Sequence, residues 1–309
     1  MTTHSVFIDG AAGTTGLEIA ERLAGREEFA LITLDEARRK DEAARAEAIN
    51  DADFVILCLP DDAARDSVAM IRNDRTRVID ASSAHRTAIG WTYGFPEVIG
   101  HDLIAQSKRV SNPGCYPTGF IGLLAPLVSA GMLPREWPYV CHAVSGYSGG
   151  GKALIARFEE DTDIAYRAYG LAMGHKHVPE MQTHTGITIA PIFAPAVVPA
   201  HRGMLVEVPL HLEAMTNAAT PDVLHAALVE AYRGSPVVSV SEERPSELLL
   251  RASMQPVDTL ELSVFAAADG KQARLAARLD NLGKGASGAA VQNLNIMAGL
   301  PETAGLRLG

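Results

Sequence analysis

The 309 residues include three cysteines, Cys58, Cys115 and Cys141, in unlike surroundings. Cys115 lies in Ser111-Asn112-Pro113-Gly114-Cys115-Tyr116-Pro117-Thr118-Gly119. A Pro-Gly turn precedes it. Pro117 suits the first turn of a helix, where its missing N–H costs no hydrogen bond. Phe120, Ile121, Leu123, Leu124 and Leu127 supply an apolar face, and Pro126 is expected to kink or end the helix. This spacing predicts a thiol at a helix N-terminus, where partial positive charge stabilises a thiolate. An unperturbed thiol, with a pKa of about 8.5, is only slightly ionised at neutral pH, so the placement favours nucleophilic chemistry. Cys58, within the apolar run Val55–Leu59, reads as a small buried hydrophobe. Cys141 falls on an expected strand with no activating neighbour. The plain alternative for Cys115 is a small turn residue.

A thiol that captures an acyl group needs an acid or base beside it. In Gly174-His175-Lys176-His177-Val178-Pro179-Glu180, an extended backbone would put His175 and His177 on one side. Imidazole suits proton transfer near neutral pH. Ligation of zinc by His175, His177, Glu180 and His184 fits no established zinc spacing, and no metal is expected. Surface or capping histidines are the plain alternative. Ser145-Gly146-Tyr147-Ser148-Gly149-Gly150-Gly151-Lys152 approaches a triphosphate-binding loop, but Ala153 stands where a magnesium-binding hydroxyl is needed. Triphosphate hydrolysis is disfavoured, and the loop either holds a phosphoryl group or turns the chain. Arg86 and Arg202 suit carboxylate or phosphate recognition and suit surface ion pairs equally well.

Positioning these residues requires a scaffold. Ser5–Asp9 reads as a buried strand, and Gly10, Gly13 and Gly16 follow before a helix marked by Leu17, Ile19, Ala20 and Leu23. Glycines at this spacing let the backbone approach a pyrophosphate and aim helix amides at it. Cofactor contacts are therefore expected at Gly10, Gly13, Thr14, Thr15 and Gly16, with an ordinary tight turn as the alternative. Phe29–Leu34 reads as a second strand. Beyond it, Asp35 is followed by Arg38-Arg39-Lys40, and the cations suit the extra phosphate of NADP or a solvated helix face. Strands Phe54–Leu59 and Arg77–Asp80, with a helical pattern over Ala63–Ile71, complete an alternation that predicts a parallel sheet covered on both faces. Pro60 and Ser82 close two of these strands where ligands sit, whereas Asp61 reads as turn chemistry.

The remainder differs. Trp137–Ser145, Gly186–Phe193, Arg202–Leu212 and Leu260–Ala267 read as strands of a mostly antiparallel sheet, and Pro221–Tyr232 and Ala286–Ala298 as helices. The boundary is expected near Asn112-Pro113-Gly114. With no repeat and no flexible linker, the two domains are expected to pack tightly about a cleft. A hydrophobic fraction of 47% and a charged fraction of 21% describe a folded chain. Net charge of −10 without a long basic run argues against nucleic acid and anionic membrane surfaces as partners. Sparse, odd cysteines fit a reducing cytoplasm. The start, Met1-Thr2-Thr3-His4-Ser5, lacks the features of a signal peptide, and no segment is apolar for long enough to span a bilayer.

Over nearly its whole length the chain resembles the N-acetyl-gamma-glutamyl-phosphate reductases, in the shorter of their two types. Pro113–Gly119 looks like the family's nucleophile signature and His175–Glu180 like its histidine segment. Ser145–Lys152 and Asp280–Asn293 are similar to its glycine loop and closing helix. The longer type commonly has an acidic and an aromatic residue before Arg86, where this chain has Ala84-His85. The resemblance implies an α/β protein with a Rossmann-type NADP-binding domain, residues 1–113, completed by the C-terminal helix 286–309. Residues 114–285 would form an α+β catalytic and oligomerisation domain with a mixed, largely antiparallel sheet. It implies Cys115 as nucleophile and His177 as acid/base. NADP(H) would bind through Gly10, Gly13, Thr14, Thr15, Gly16, Arg38, Arg39, Pro60 and Ser82, and an acyl-phosphate substrate through Arg86, Asn112, His175 and Arg202. A homo-oligomer, dimer or tetramer, is expected. The alternatives are the related aspartate-semialdehyde dehydrogenases, an NADP-sensing protein without catalysis, and a thiol acyltransferase without cofactor.

Overall fold

The computed structural model describes residues 3–309; Met1 and Thr2, the first residues of the start that lacks signal-peptide features, lie outside the described residues. The described chain forms two compact units. One comprises the residues up to Pro113 with Ala286–Leu306; the other comprises Gly114–Gly285 with Arg307–Gly309.

The first unit is built on six parallel strands: β1 (His4–Asp9), β2 (Phe29–Ile32), β3 (Phe54–Leu57), β4 (Arg77–Asp80), β5 (Thr92–Tyr93) and β6 (Arg109–Ser111), in the order β2-β1-β3-β4-β6-β5. Helices α1 (Thr14–Leu23), α2 (Glu42–Asp51), α3 (Asp61–Ala69), α4 (Pro96–Ile99) and α5 (His101–Gln106) connect them. Alternation along the strands makes two cores. Val6, Ile8, Phe54, Ile56 and Ile79 face Ile19, Leu23 and Ile104. Phe7, Val55, Leu57 and Val78 face Ala48, Ile49 and Ala64 on the other side. Buried on both faces, such strands read as continuous apolar runs.

The second unit contains β7 (Val140–Gly146), β8 (Arg167–Ala168), β9 (Ile192–Val198), β10 (Met204–His211), β11 (Val238–Val240), β12 (Leu260–Ala266) and β13 (Gln272–Leu279). Their order is β11-β12-β13-β10-β7-β9-β8; β11·β12 and β7·β9 are parallel and the other pairings antiparallel. Helices α6 (Cys115–Ser129), α7 (Gly151–Glu160), α8 (Val178–Thr185) and α9 (Pro221–Ala231) accompany it, and α10 (Gly288–Met297) returns to the first unit. Helix α6 lies against the sheet so closely that a Cβ on Gly119 would come within 2.8 Å of Val206.

Two expectations are corrected and a third is narrowed. The strand expected over Gly186–Phe193 starts only at Ile192 and runs to Val198. Gly186, at φ +74°, instead ends helix α8, as a left-handed C-cap does. His175 and His177 do not lie on an extended segment. Val178 N–H donates to His175 O, so the chain turns here into α8. Pro126 does not end α6, which continues to Ser129. A proline at this position leaves the carbonyl four residues back without its helical donor. That carbonyl, on Gly122, accepts from the buried Tyr232 hydroxyl at 2.6 Å. Tyr232→Phe is accordingly expected to cost about 1–2 kcal/mol by orphaning this acceptor, read as a lower urea midpoint at unchanged m value. An unchanged midpoint would show that the carbonyl is satisfied otherwise.

Candidate active site

Strand register in the first unit sets Asp9 beside Leu57, Leu57 beside Asp80, and Asp80 beside Ser111. The next residues therefore leave the sheet along one carboxyl edge. The glycine loop, Pro60, Ser82, Arg86 and Asn112 all follow from this edge, the position of ligands in open parallel sheets.

The glycine loop is shaped by close approach. A Cβ on Gly10, which has φ +90°, would fall 2.3 Å from Cys58 O, and one on Gly16 would fall 2.6 Å from Gly10 O. Helix α1 starts at Thr14 with no side chain capping it. The first amides of a helix have no intrahelical acceptor, so those of Thr14, Thr15 and Gly16 suit a pyrophosphate. These residues fit a dinucleotide. Arg38 and Arg39 are exposed and pair with Glu47 (3.2 Å) and Glu36 (2.8 Å). Such exposed pairs are weak, and a phosphate can displace them. Asp35 is used by its own turn, accepting from Arg38 N–H. Pro60 is the N-cap of α3, and Asp61 accepts from the Ser83 amide and hydroxyl, which is turn chemistry. The Ser82 hydroxyl donates to Asp80 and accepts from Ala84 N–H.

Arg86 is buried, its Nε donating to Asn112 O (3.0 Å) and its Nη2 to Ala81 O (3.2 Å). The Asn112 amide donates to Ala286 O and accepts from Asn293 Nδ2, which ties β6 to the helix α10 region.

In the second unit Cys115 is the first residue of α6, after the N-cap Gly114. The Gly114 amide donates to Glu180 Oε1 at 2.7 Å, and Glu180 is 1% exposed. Glu180 stands three residues beyond His177, the N-cap of α8. One carboxylate thus joins the starts of the cysteine helix and the histidine helix. Around them lie aromatic rings. His175 and His177 meet edge to face at 4.7 Å, and Tyr116 lies 5.9 Å from His177. Tyr169 lies 5.6 Å from His175. Burial, with a contribution from charge on Cys115, pushes the Tyr169 hydroxyl up to about 12 against the lowering effects of the Tyr116 hydrogen bond and the Arg167 charge. Burial, followed by the Lys176 charge, holds His175 below the usual imidazole range. It is therefore neutral at neutral pH, with Nδ1 accepting from His177 N–H. Burial pushes the other thiols up: Cys58, helped by Asp80 and Asp9, to about 12, and Cys141 further.

Gly285 presses on the cysteine. A Cβ there would lie 2.9 Å from Cys115 Cβ. Gly285→Ala is expected to lower kcat by about tenfold or more by displacing the thiol, because small misplacements are costly to reaction geometry. NADP affinity, measured by fluorescence titration, should not change. A variant with normal kcat would mean that the loop yields instead.

Arg202 is held by the fully buried Asp280, Nη1 to Oδ2 at 2.8 Å. The glycine loop beside it turns the chain. Amides of Gly146, Tyr147 and Ser148 donate to the carbonyls of Gly203, Ala200 and His201 and are consumed there. Lys152 is exposed. Among the described residues no group of three or more His, Cys, Asp or Glu side chains forms a metal cluster.

Glu180, Tyr169, Gly285 and Asp280 were not assigned roles from the sequence. Glu180 closes the histidine segment at a helical i, i+3 spacing from His177, which is a legible signal. Tyr169 has no local pattern to mark it.

Two family models divide the chain. Residues 5–106 match "Semialdehyde dehydrogenase, NAD binding domain" and residues 115–281 match "Semialdehyde dehydrogenase, dimerisation domain". An N-acetyl-gamma-glutamyl-phosphate reductase of Burkholderia ambifaria is 51% identical, over 97% of this chain and 98% of its own. That of Trichormus variabilis is 45% identical, over 99% and 100%. The chain belongs to the N-acetyl-gamma-glutamyl-phosphate reductases, within the semialdehyde dehydrogenase family. As an N-acetyl-gamma-glutamyl-phosphate reductase family member it is an oxidoreductase with an NAD-binding and a dimerisation domain. Solved aspartate semialdehyde dehydrogenases share the fold. One from Vibrio cholerae superposes with a TM-score of 0.70 at 16% identity, covering 96% of this chain and 98% of its own. A probable one from Pseudomonas aeruginosa gives 0.72 at 18%, with the same coverage. Among the described residues no helix is long and apolar enough to cross a membrane.

Proposed function

We propose that the chain reduces N-acetyl-gamma-glutamyl phosphate to N-acetylglutamate semialdehyde and phosphate with NADPH, in arginine biosynthesis, as a cytoplasmic homo-dimer or tetramer. The observation that carries the mechanism is the position of Cys115 at the start of α6, with the preceding amide fixed by Glu180 from the histidine helix. The positive end of α6 favours the thiolate. Its sulfur attacks the gamma-carbonyl carbon, the carbon–oxygen bond to the phosphoryl group breaks, and phosphate leaves a thioester on Cys115. When bound, NADPH supplies the hydride that reduces this acyl group. His177 manages the proton as the sulfur–carbon bond breaks and the aldehyde departs. Covalent capture divides one difficult step into easier ones.

Gly10, Gly13, Thr14, Thr15 and Gly16 hold the pyrophosphate of NADP(H), and Pro60 and Ser82 shape the same edge. Arg38 and Arg39 take the additional phosphate. Arg86 and Arg202 bind anionic groups of the substrate. His175, neutral, offers an N–H rather than a charge, and Asn112 orients Arg86.

The test is the reverse reaction with N-acetylglutamate semialdehyde, phosphate and NADP, followed by absorbance of the reduced cofactor. No signal, with aspartate semialdehyde active instead, would move the chain to the sister activity. NADP binding without any turnover would favour a sensor.

A further inference from the structure

The loop after β4 carries a side-chain pair that the reaction above leaves unused. Asp80 closes that strand with its carboxylate fully buried. Oδ1 accepts from Ser82 N–H at 2.8 Å; Oδ2 accepts from the Ser82 hydroxyl at 2.8 Å and faces His85 Nδ1 at 2.6 Å. Both oxygens of Asp80 already accept from Ser82, so the carboxylate is the acceptor for Nδ1–H as well, and Nε2 is the opposite pole of the ring. Trp91 stacks on the imidazole with centroids 4.0 Å apart and planes 11° apart, which fixes its plane. Nε2 has no protein partner among the described residues, and the side chain keeps 12% exposure. A histidine oriented by a carboxylate is an arrangement that presents its second nitrogen to a ligand. This one sits at the carboxyl edge of the parallel sheet, next in the chain to the anchored guanidinium of Arg86.

We propose that His85 is a phosphoryl-binding residue whose Nε2 takes an oxygen of the phosphate that the reaction releases. Inorganic phosphate exchanges its second proton near neutral pH, a little above a phosphate ester and not far from the ordinary imidazole range. It therefore complements the ring in either form. A phosphate hydroxyl donates to neutral Nε2, and a dianion oxygen accepts from Nε2–H. A carboxylate, ionised throughout that range, only accepts, and the lone pair of a neutral ring repels it. The inference rests on the proposed reaction for its kinetic test and on no reaction for its binding test.

His85→Asn keeps an amide N–H for Asp80 and removes Nε2, whereas His85→Gln places an amide nitrogen near the site of Nε2. In the reverse reaction the KM for inorganic phosphate should rise about tenfold in His85→Asn and return to within about threefold of the parent in His85→Gln. The KM for the semialdehyde should stay constant in both. The parent protein without cofactor should gain Tm when inorganic phosphate is added at constant ionic strength, and His85→Asn should lose that gain. An unchanged phosphate KM in His85→Asn, an equal rise in the KM for semialdehyde, or a parent Tm indifferent to phosphate overturns the inference. Phosphate-dependent Tm without turnover would overturn the substrate assigned above while supporting the role of His85.

Discussion

Cys115→Ser is expected to lower kcat/KM by about 10⁴-fold or more. A hydroxyl is too weak an acid for the start of α6 to ionise at neutral pH, so the change removes the nucleophile and keeps its shape. The fold and the dinucleotide edge should persist, because Cys115 is only partly buried and its neighbours Gly114 and Glu180 meet through the backbone amide. Thermal unfolding and NADPH fluorescence titration check those two controls. Turnover within about tenfold of the parent would remove the thiol mechanism altogether.

His177→Asn is the second large effect. Removal of a positioned acid or base costs about 10²–10⁴-fold. The loss should fall on kcat, and KM for the acyl phosphate should fall beside it, because proton management follows capture by the thiol. A covalent adduct on Cys115, already reduced to the thiohemiacetal level, should then accumulate and be visible by intact-protein mass spectrometry after rapid quenching. A loss of less than about tenfold would assign the proton to another group. His175 is the nearest alternative, with its ring 4.7 Å away.

The contrast between these two residues shows what local sequence carries. Cys115 was legible because a Pro-Gly turn and a first-turn proline announce a helix start within a few residues. Strands β1 to β4 were legible because burial on both faces makes continuous apolar runs such as Phe54–Leu57, whereas β5 and β6, two and three residues long, are too short to show one. Strand β13 was not. Its sequence, Gln-Ala-Arg-Leu-Ala-Ala-Arg-Leu, is rich in strong helix formers. It is a strand because β10 and β12 pair with it on both sides, and tertiary pairing overrides propensity. Strand β9 was shifted by Pro195, which argues against a strand. Its missing N–H is tolerated because β8, the neighbour on that side, is two residues long and pairs only with Ala196 and Val197. Glu180 and Asp280 stand for a further limit. Each holds a predicted residue or its helix through a contact across a long stretch of chain, and no window of sequence reports such a partner.

Helix α10 is buried along its whole length, and Ala290, Val291, Leu294, Ile296 and Met297 complete a core otherwise made by the strands with α1 and α5. That has a consequence for synthesis. The ribosome finishes β1 to β6 and then translates about 170 residues of another unit before the sealing helix emerges. At ~5–20 residues per second, one side of the nascent sheet stays without that cover for roughly ten to thirty seconds. During that interval Ile19, Leu23 and Ile104 of α1 and α5 cover this face only in part, and the remainder is open to whatever chaperone or neighbouring chain is at hand. One interval of exposure to aggregation is thus set by the order of the gene's codons, well before any ligand is bound.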